Sequence, residues 1–335
     1  MEPTPSTDLL VRAAAPAAVT VRSGIPECLH HGVGTAVRSG ATGTAAETIA
    51  CLGDPTAVTL PRSALKLLHA VAFLDHGLDV DDELLAVLCA SHSGEPGHLE
   101  VVRRLLARAG LSEADLRNTP TLPIDEEAAF RWRSEGGGPS RLRQNCSGNH
   151  AGTLATCVAA GWPTEGYTET DHPVQQAIAT TVARLAGWVD ERVAVDGCGA
   201  PAFATTVHGL ALAYARLAGA SVGTPEARVV AAVTAYPWLV AGTGRRNTQL
   251  MRAVPGLVAK DGADGVLAAG FRDDDGAGVG IAVKVLDGAE RPRGAVLAEG
   301  LRRAGRHVGT DTPGVAEPVL GHGRPVGEVL ALPWS

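Results

Sequence analysis

The chain has 335 residues, of which 45% are hydrophobic, so it can bury a large core, and collagen-like and disordered classes are excluded. Its net charge of -7 at pH 7 argues against a general nucleic-acid binder or a binder of anionic membranes, because both partners require a basic face. A small polar ligand is the expected partner.

The N-terminus and the cysteines indicate the compartment. Residues 1–16 carry Glu2 and Asp8 and lack both the basic and the sustained apolar segment of a signal peptide, and no apolar stretch is long enough to span a bilayer. We therefore expect cytoplasmic residence, where free thiols or metal ligands are commoner than disulfides. The six cysteines include no C-x-x-C pair, so a zinc-finger type of site is poorly supported.

The predicted elements begin as strands and continue as helices. Strands are expected over Glu27–Val37, Thr48–Leu52 and Ala57–Leu60, with a glycine-rich turn over Arg38–Gly43. From Ser63 onward the apolar spacing predicts helices over Ser63–His76, Asp81–Ser91, His98–Ala109, Ile124–Ser134, Asn149–Gly161, Pro173–Leu185, Ala204–Leu217, Pro225–Tyr236 and Arg246–Val254. The strands Gly265–Phe271 and Gly278–Leu286 then precede a final helix over Arg291–Arg306.

This order predicts an α+β fold with one catalytic domain over residues 22–335, preceded by an N-terminal arm over residues 1–21. An antiparallel sheet is built from both chain ends, about residues 22–62 and 255–310, and is flanked by helices. A large helical lobe, about residues 63–254, is inserted between them. We expect the active site in the cleft between the lobes. Arg133–Ser140, which contains three consecutive glycines, is either a mobile loop or a passive connector.

The lysines are unusual for their surroundings. The chain has 26 arginines but only three lysines, Lys66, Lys260 and Lys284, and all three lie in apolar or glycine-rich stretches. The pKa of a lysine moves readily on burial, whereas a guanidinium stays charged, so these lysines are candidates for proton chemistry. Alternatively, Lys66 and Lys284 lie on half-buried elements and reach water with their charged ends.

Ser63 and Lys66 form an S-x-x-K motif at the start of a predicted helix, which Pro61 marks. At this spacing the two side chains share one face of the helix. A serine hydroxyl is a weak nucleophile and needs a base within hydrogen-bonding reach, and a lysine desolvated by neighbouring leucines could be neutral enough to take the proton. The motif alone is suggestive only.

Polar residues also crowd the segment Cys89–His98, which includes Ser91, His92 and Glu95. A helix C-cap at Gly94, followed by a new helix, explains this composition equally well without any function.

Two later segments combine glycines with thiols. Asn145–Gly152 contains Cys146 and His150, and Asp196–Pro201 contains Cys198. Glycines permit close approach of the backbone to a ligand, although a turn with a buried cysteine is a commoner cause of this pattern. The two thiols could share a metal ion, with His150 near enough to contribute.

Lys260 lies within Ala259–Val266, which we interpret as a glycine-rich turn leading into a strand. It is similar to the K-T-G element of serine acyl-transferases that also use S-x-x-K. The order along the chain agrees, with the nucleophile helix first and the lysine strand last.

Six motifs, in their order along the chain, resemble those of the asparaginase II family, the thermolabile rhizobial type of L-asparaginase. They are Ser63-Ala-Leu-Lys66, Ala90-Ser91-His92-Ser-Gly94-Glu95, Cys146-Ser-Gly148-Asn-His150-Ala-Gly152, Asp196-Gly-Cys198-Gly-Ala-Pro201, Ala241-Gly-Thr243-Gly244-Arg245 and Lys260-Asp-Gly262-Ala-Asp-Gly265. The likeness covers about residues 22–306. It implies a fold similar to serine β-lactamases and glutaminases, a homodimer, and hydrolysis of L-asparagine to L-aspartate and ammonia. No organic cofactor, nucleic acid or membrane partner is expected.

The resemblance also implies that two serine–lysine pairs meet in the active site. They correspond to Ser63 with Lys66 and to Ser91 with Lys260. In the mechanism we expect, Lys66 takes the proton of the attacking Ser63, and Ser91 and Lys260 relay a proton to the departing ammonia.

Substrate binding is expected from Asp196, Arg245, His150 and Glu95. A zwitterionic amino acid requires one partner of each charge, which Asp196 and Arg245 could supply for its α-amino and α-carboxylate groups. Alternatively, Asp196 caps a turn and Arg245 binds a structural carboxylate.

The family resemblance further implies a zinc ion held by two cysteines and a lysine. The cysteines correspond to Cys146 and Cys198, but Asn149 replaces the lysine. The third ligand is then missing or is an amide oxygen, a weaker ligand for zinc. From the family resemblance we expect a zinc ion bound by Cys146, Cys198 and Asn149. A second departure places Arg246 and Asn247 where an aromatic residue and a cysteine are expected, which bears on substrate preference.

Rival functions remain at this point. A glutaminase or a β-lactam-active enzyme is the nearest alternative, although export is expected of the latter. A non-catalytic protein that binds amino acids or metal is a different class, which the asparagine at position 149 favours. Ammonia release from asparagine, from glutamine and from buffer alone discriminates among them.

Overall fold

A computed structural model of the chain describes residues 10–40 and 45–335. The strands are β1 (Ala15–Arg22), β2 (Ile25–Arg38), β3 (Glu47–Leu52), β4 (Val58–Thr59), β5 (Val193–Val195), β6 (Pro201–Phe203), β7 (Thr205–Thr206), β8 (Val258–Asp261), β9 (Val266–Arg272), β10 (Gly278–Val285), β11 (Val319–Gly321) and β12 (Arg324–Ala331). In the described residues, eight of them form one antiparallel sheet in the order β11-β12-β1-β2-β10-β9-β8, with β3 paired to β2.

The long strand β2 joins the parts of this sheet. Its first half pairs with β1 and its second half pairs with β10 and β3, so strands from both chain ends meet along one element. The two small ladders β4–β7 and β5–β6 lie outside the main sheet. The predicted α+β class, with an antiparallel sheet from both chain ends, is confirmed.

Helices fill the middle of the chain. They are α1 (Lys66–Asp75), α2 (Asp82–Leu88), α3 (Pro96–Arg108), α4 (Glu126–Ser134), α5 (Ser147–Ala160), α6 (Pro173–Ala186), α7 (Val207–Ala218), α8 (Pro225–Ala235), α9 (Pro237–Val240), α10 (Arg246–Ala253) and α11 (Arg293–Arg303). Side-chain caps explain several starts, since Asp81 accepts from Leu84 N and Thr206 from Gly209 N. Left-handed glycines at Gly161 and Gly187 end α5 and α6.

Helix α7 packs directly on the sheet because glycines leave room for its backbone. A Cβ added at Gly280 on β10 would lie 1.9 Å from the carbonyl oxygen of Ala211, and one at Gly278 would lie 1.9 Å from that of Ala215. No side chain fits at these positions without displacing the helix. This contact joins the helical region to the sheet beneath the site described below.

Several boundaries differ from the sequence predictions. The arm predicted over residues 1–21 is wrong for residues 15–21, which belong to β1 and pair with β2 and β12, and residues 1–9 lie outside the described part of the chain. The alanine-rich start of β1 has weak strand propensity, which hid it. Strands β11 and β12 extend the sheet beyond the limit predicted at residue 310. The predicted turn over Arg38–Gly43 runs into residues 41–43, which the structure does not describe.

Lys260 differs from its prediction as well. It lies inside strand β8, opposite Ala268 of β9, and not on a turn. The glycine-rich turn comes after it, at Gly262 and Gly265, and Gly265 has a positive φ of 83°.

The segment Arg133–Ser140 is fixed by local contacts. Trp132 Nε1 donates to Gly138 O at 2.7 Å, Ser140 forms a bridge with Thr121, and the Arg143 guanidinium lies 3.6 Å from the Trp132 ring centroid. These contacts fit a structured connector. Over residues 10–40 and 45–335, none of the helices combines the length and the apolar character needed to cross a membrane.

Substituting Gly280→Ala tests the packing of α7 on the sheet. The added methyl group would meet the α7 backbone, so the free energy of unfolding should fall by about 1–3 kcal/mol or more, as in other overpacked cores. Gly138→Ala is the matched control, because a Cβ there has no neighbour within 4 Å. Urea denaturation measures both variants, and equal stability of Gly280→Ala and wild type would contradict the close approach.

Candidate active site

Two buried lysines meet at one serine. Lys260 Nζ donates to Ser91 Oγ at 3.0 Å, and Lys66 Nζ donates to the same oxygen at 3.4 Å and to Ala90 O at 2.6 Å. Lys66 is 4% exposed, Ser91 5% and Lys260 0%. A buried ammonium group needs acceptors, and the chain supplies them at the end of α2.

The segment after α2 is held by backbone hydrogen bonds to residues at the end of α9. Ser91 N donates to Val240 O at 3.0 Å, and Ser93 N donates to Ala241 O at 2.7 Å. The C-cap of α2 is Cys89, so the alternative of a C-cap at Gly94 is wrong, and α2 ends before Ser91. These hydrogen bonds fix Ser91 between the two lysines.

Lys260 has three acceptors, which matches the three donors of an ammonium group. Besides Ser91 Oγ, its Nζ donates to Asp261 O at 2.8 Å and to Asp261 Oδ1 at 2.5 Å. Burial lowers the pKa of Lys260 to about 8, although the Asp261 carboxylate opposes the shift and Lys66 adds to it. Lys260 can therefore exchange a proton near neutral pH.

Ser63 and Lys66 occupy the same wall of a small cavity. Arg62–Leu65 form one 3-10 turn, and Lys66 begins α1, so the predicted helix start is confirmed with a tighter first turn. Residues three apart eclipse each other in such a turn. Among the described residues, however, Ser63 and Lys66 share no side-chain hydrogen bond, because the ammonium group of Lys66 turns to Ala90 and Ser91.

The cavity has a volume of about 30 Å³, room for about two water molecules. Its polar lining residues are Arg62, Ser63, Lys66, His69, Cys146, Asn149, Asp196 and Cys198. The structure thus gathers predicted residues from three separate motifs around one space. Ser63 itself is partly exposed.

Asp196 lies at this cavity but already has a cationic partner. Arg62 Nε and Nη2 both bind its carboxylate, the latter at 3.2 Å, and Arg62 Nη1 reaches Asp264 at 2.9 Å. Burial would raise the pKa of Asp196, but Arg62 holds it below its usual value. Arg62 has a positive φ of 53°, an uncommon conformation directly before Ser63.

Arg245 faces the second carboxylate oxygen of Asp261, the residue that binds Lys260. Its Nη2 is 3.6 Å from Asp261 Oδ2, and its Nη1 is buried without a hydrogen-bond partner in the described residues. Burial would raise the pKa of Asp261, but the charges of Lys260, Arg245 and Arg293 lower it well below its usual value. Arg245 therefore has a buried donor without a partner in the described residues, but it is not among the residues that line the cavity beside Ser63.

Glu95 and His150 lie away from this cavity. Glu95 accepts from Thr243 N at 2.8 Å and from Thr243 Oγ1 at 2.7 Å, so it joins two loops. His150 Nδ1 is 2.9 Å from Tyr167 OH, its Nε2 faces a second small cavity behind the first, and burial lowers its pKa to about 3. Neither lines the space beside Ser63, where substrate contact was predicted.

Comparison with protein families decides the relationship. The sequence model of L-asparaginase II matches residues 18–331. The chain belongs to the L-asparaginase II family. It is an amidohydrolase of that family, as its six motifs predict. No curated protein sequence matches the chain.

Solved structures give distant likenesses. Mglu is similar at 15% identity and a TM-score of 0.39, with 77% of this chain covered and this chain spanning 62% of that protein. A probable glutaminase from Bacillus subtilis, complexed with 6-diazo-5-oxo-L-norleucine, is similar at 15% identity and a TM-score of 0.37, covering 83% of this chain and 86% of its own. A β-lactamase from Burkholderia vietnamiensis shows 20% identity and a TM-score of 0.36, covering 82% and 88%.

The two cysteines lie together in this L-asparaginase II family member. The pKa of Cys146 is lowered, chiefly by a hydrogen bond from the Cys198 thiol and further by Lys66, while the pKa of Cys198 is raised by its neighbour and by burial. The side-chain amide of Asn149 already has two partners. Its Nδ2 donates to Leu88 O at 2.9 Å, and its Oδ1 lies 3.2 Å from His69 Nδ1.

These residues do not complete a zinc site. Within the described ranges, no group of three or more His, Cys, Asp or Glu side chains could hold a metal ion. Two thiols with one occupied amide are a poor donor set for zinc, which prefers four ligands. The zinc ion implied by the family resemblance is therefore expected to be held weakly at most.

Sequence reasoning missed three contributors to the site. Asp261 follows Lys260 directly, and Arg62 precedes Ser63, so adjacency to a candidate residue was the available signal for both. For Asn247 the available signal was that it stands where the family pattern has a different residue. Asn247, near the start of α10, donates to Asp261.

Metal content tests the consequence of the asparagine at position 149. We expect the purified wild-type protein to retain well under one zinc per chain after dialysis against a chelator, because an amide oxygen is a weak zinc ligand. Asn149→Lys should retain more. Elemental analysis measures both proteins, with Cys146→Ser as the control that abolishes binding. One tightly held zinc per chain in the wild type would contradict the prediction.

Proposed function

We propose that the protein is an L-asparaginase, which hydrolyses L-asparagine to L-aspartate and ammonia. The observation that carries the proposal is the continuous set of contacts from the cavity to the interior, in which Ser63 and Lys66 share the cavity wall and Lys66, Ser91 and Lys260 are joined by hydrogen bonds. Membership of the L-asparaginase II family supports the substrate class.

The proposed first step is attack by Ser63. Its Oγ forms a bond to the side-chain amide carbon of asparagine, and its proton passes to Lys66, which acts in its neutral amine form. Ser63 is partly exposed beside the cavity, whereas Ser91 is buried between the side chains of Lys66 and Lys260, so Ser63 is the better placed nucleophile.

The second step needs a proton for the leaving group. The bond from carbon to nitrogen breaks as ammonia departs, and Lys260 supplies the proton through Ser91, to which it already donates at 3.0 Å. Water then hydrolyses the aspartyl ester and restores Ser63.

Substrate charge would be met by Arg245 and its surroundings. The unpartnered Nη1 of Arg245 suits the α-carboxylate of an amino acid. Since Arg62 already occupies Asp196, the α-amino group would bind Asp196 only by sharing it or by displacing Arg62. A cavity of about 30 Å³ admits asparagine only when such wall side chains move.

The family resemblance alone supports a homodimer, which we propose as the working form. Sedimentation of the purified protein measures this.

Replacing Ser63 tests the nucleophile. Ser63→Ala should lower kcat for asparagine by roughly 10⁴-fold, because the covalent route is lost. Ser91→Ala should lower it by about 10²-fold to 10³-fold through loss of the proton relay. Ammonia release from asparagine and from glutamine is measured, with Lys284→Arg as the control, because Lys284 lies outside the site and binds Asp264 O.

Trapping of the intermediate separates the two serines. Hydroxylamine should divert the acyl-enzyme to aspartyl hydroxamate, and mass spectrometry should place the acyl group on the peptide that contains Ser63. An acyl group on Ser91, or full activity of Ser63→Ala, would contradict the assignment. Ammonia from glutamine but not from asparagine would make the protein a glutaminase.

The pH dependence tests the role of Lys260. If its ammonium form supplies the proton, kcat should fall as pH rises through the pKa of Lys260, which is about 8. The sign follows because deprotonation removes the donor. Initial rates from pH 6 to 10 measure the midpoint of the alkaline limb, and a rate that climbs steadily across this range would assign Lys260 as a base instead.

A further inference from the structure

Asn247 binds Asp261 at two points, the side-chain carboxylate and the backbone N–H. Asn247 Nδ2 donates to Asp261 Oδ1 at 2.6 Å, and the backbone N–H of Asp261 donates to Asn247 Oδ1 at 3.1 Å. Asn247 is 1% exposed. Both ends of its amide are therefore used on a single residue, and the carboxylate cannot rotate without breaking a buried hydrogen bond.

The same carboxylate oxygen binds Lys260. Asp261 Oδ1 lies 2.5 Å from Lys260 Nζ, while Oδ2 faces Arg245 Nη2 at 3.6 Å. Asp261 thus lies between two cations, and Asn247 donates to the oxygen that also binds Lys260. Without Asn247, this oxygen would keep Lys260 as a partner but lose one of its two hydrogen bonds.

The charged and titratable groups around Lys260 come from several elements. Strand β8 supplies Asp261, which favours the ammonium form, while Lys66 of α1 and Arg245 before α10 disfavour it. Cys89 follows α2, and burial raises its pKa to about 12, so it is neutral near pH 8. From α11, Arg293 acts on Asp261. Asp261 is therefore the anion on which the charge of Lys260 depends.

We propose that Asn247 is a positioning residue, which fixes the Asp261 carboxylate on Lys260 and so controls how firmly Lys260 holds its proton beside Ser91. The part of this inference that concerns catalysis rests on the proposed function. The contact itself stands apart from any substrate. A purely structural asparagine, which only joins α10 to β8, would leave the titration of Lys260 unchanged.

Two substitutions remove the contacts, one with and one without loss of side-chain volume. Asn247→Ala removes both contacts, so Asp261 stabilises the ammonium form less well, and the midpoint of Lys260 titration should fall by about one pH unit. Asn247→Leu keeps the size of the side chain but offers neither a donor nor an acceptor, so the midpoint should fall by a similar amount. A fall in both variants does not come from lost volume, because Asn247→Leu retains it.

The small number of lysines makes the titration directly measurable. With three lysines in the sequence, protein labelled with ¹³C at lysine Cε gives three NMR signals, and Lys284→Arg removes one of them for assignment. Spectra from pH 6 to 11 give the midpoint for wild type, for both Asn247 variants and for Arg252→Ala, a control on an exposed position of α10.

Rates of ammonia release complete the test. The alkaline limb of kcat should move with the NMR midpoint in each variant, while Arg252→Ala should match the wild type. Unchanged Lys260 midpoints in both Asn247 variants would overturn the proposal, whatever their stability. If Asn247→Ala does not fold, the fall in Asn247→Leu carries the test alone. Shifted midpoints in a protein that hydrolyses no amide would support the positioning role and overturn the proposed function.

Discussion

The site depends on two buried lysine side chains that share one hydroxyl oxygen. Lys66 Nζ and Lys260 Nζ approach Ser91 Oγ from different elements, at 3.4 and 3.0 Å, where two positive charges would repel each other because water is excluded. The arrangement is stable because each amino group has further acceptors. Ala90 O serves Lys66, and the backbone and side chain of Asp261 serve Lys260. Burial, and after it the neighbouring Lys66, lower the pKa of Lys260 to about 8, so this lysine can exchange a proton near neutral pH.

The fold brings these groups together through its two-ended sheet. Lys260 lies on β8 at the edge of the sheet. Lys66 begins α1, the first α-helix after the N-terminal strands, and Ser91 lies in the segment that follows α2. None of these positions is close in sequence. The glycine contacts between α7 and β10 hold the helical region on the sheet, so the distance between the lysines is set by packing across the whole molecule.

The sequence predicts much of the fold wherever the residues that determine an element are close together in the chain. The strand β2, the helices of the middle region and the serine–lysine turn follow from apolar spacing and from caps that act within a few residues. The gathering of Lys66, Ser91 and Lys260 followed from motif order and family resemblance. The partner of Lys66 could not be predicted, because S-x-x-K spacing places Ser63 on its face but cannot show that Ala90 and Ser91 lie across from it.

Other sequence predictions were wrong for similar physical reasons. Strand β1 is stabilised by β2 and β12 on its two sides, and its own alanine-rich sequence does not predict that pairing. Asp196 was expected to be free for a substrate amine, yet Arg62 from another motif binds it. A long-range ion pair of this sort leaves no trace in residue spacing.

The charges at the site indicate what an asparagine side chain at position 247 contributes. Lys260 and Arg245 share the single carboxylate of Asp261, and the charge of Arg293 also acts on it. Positive charge is therefore in excess on the Arg245 side, where Nη1 has no partner in the described residues. An amide at position 247 binds Asp261 without adding a negative charge. The excess favours ligands that carry a carboxylate, so a neutral hydrogen-bonding residue at this position serves both the proton on Lys260 and the binding of an anionic group.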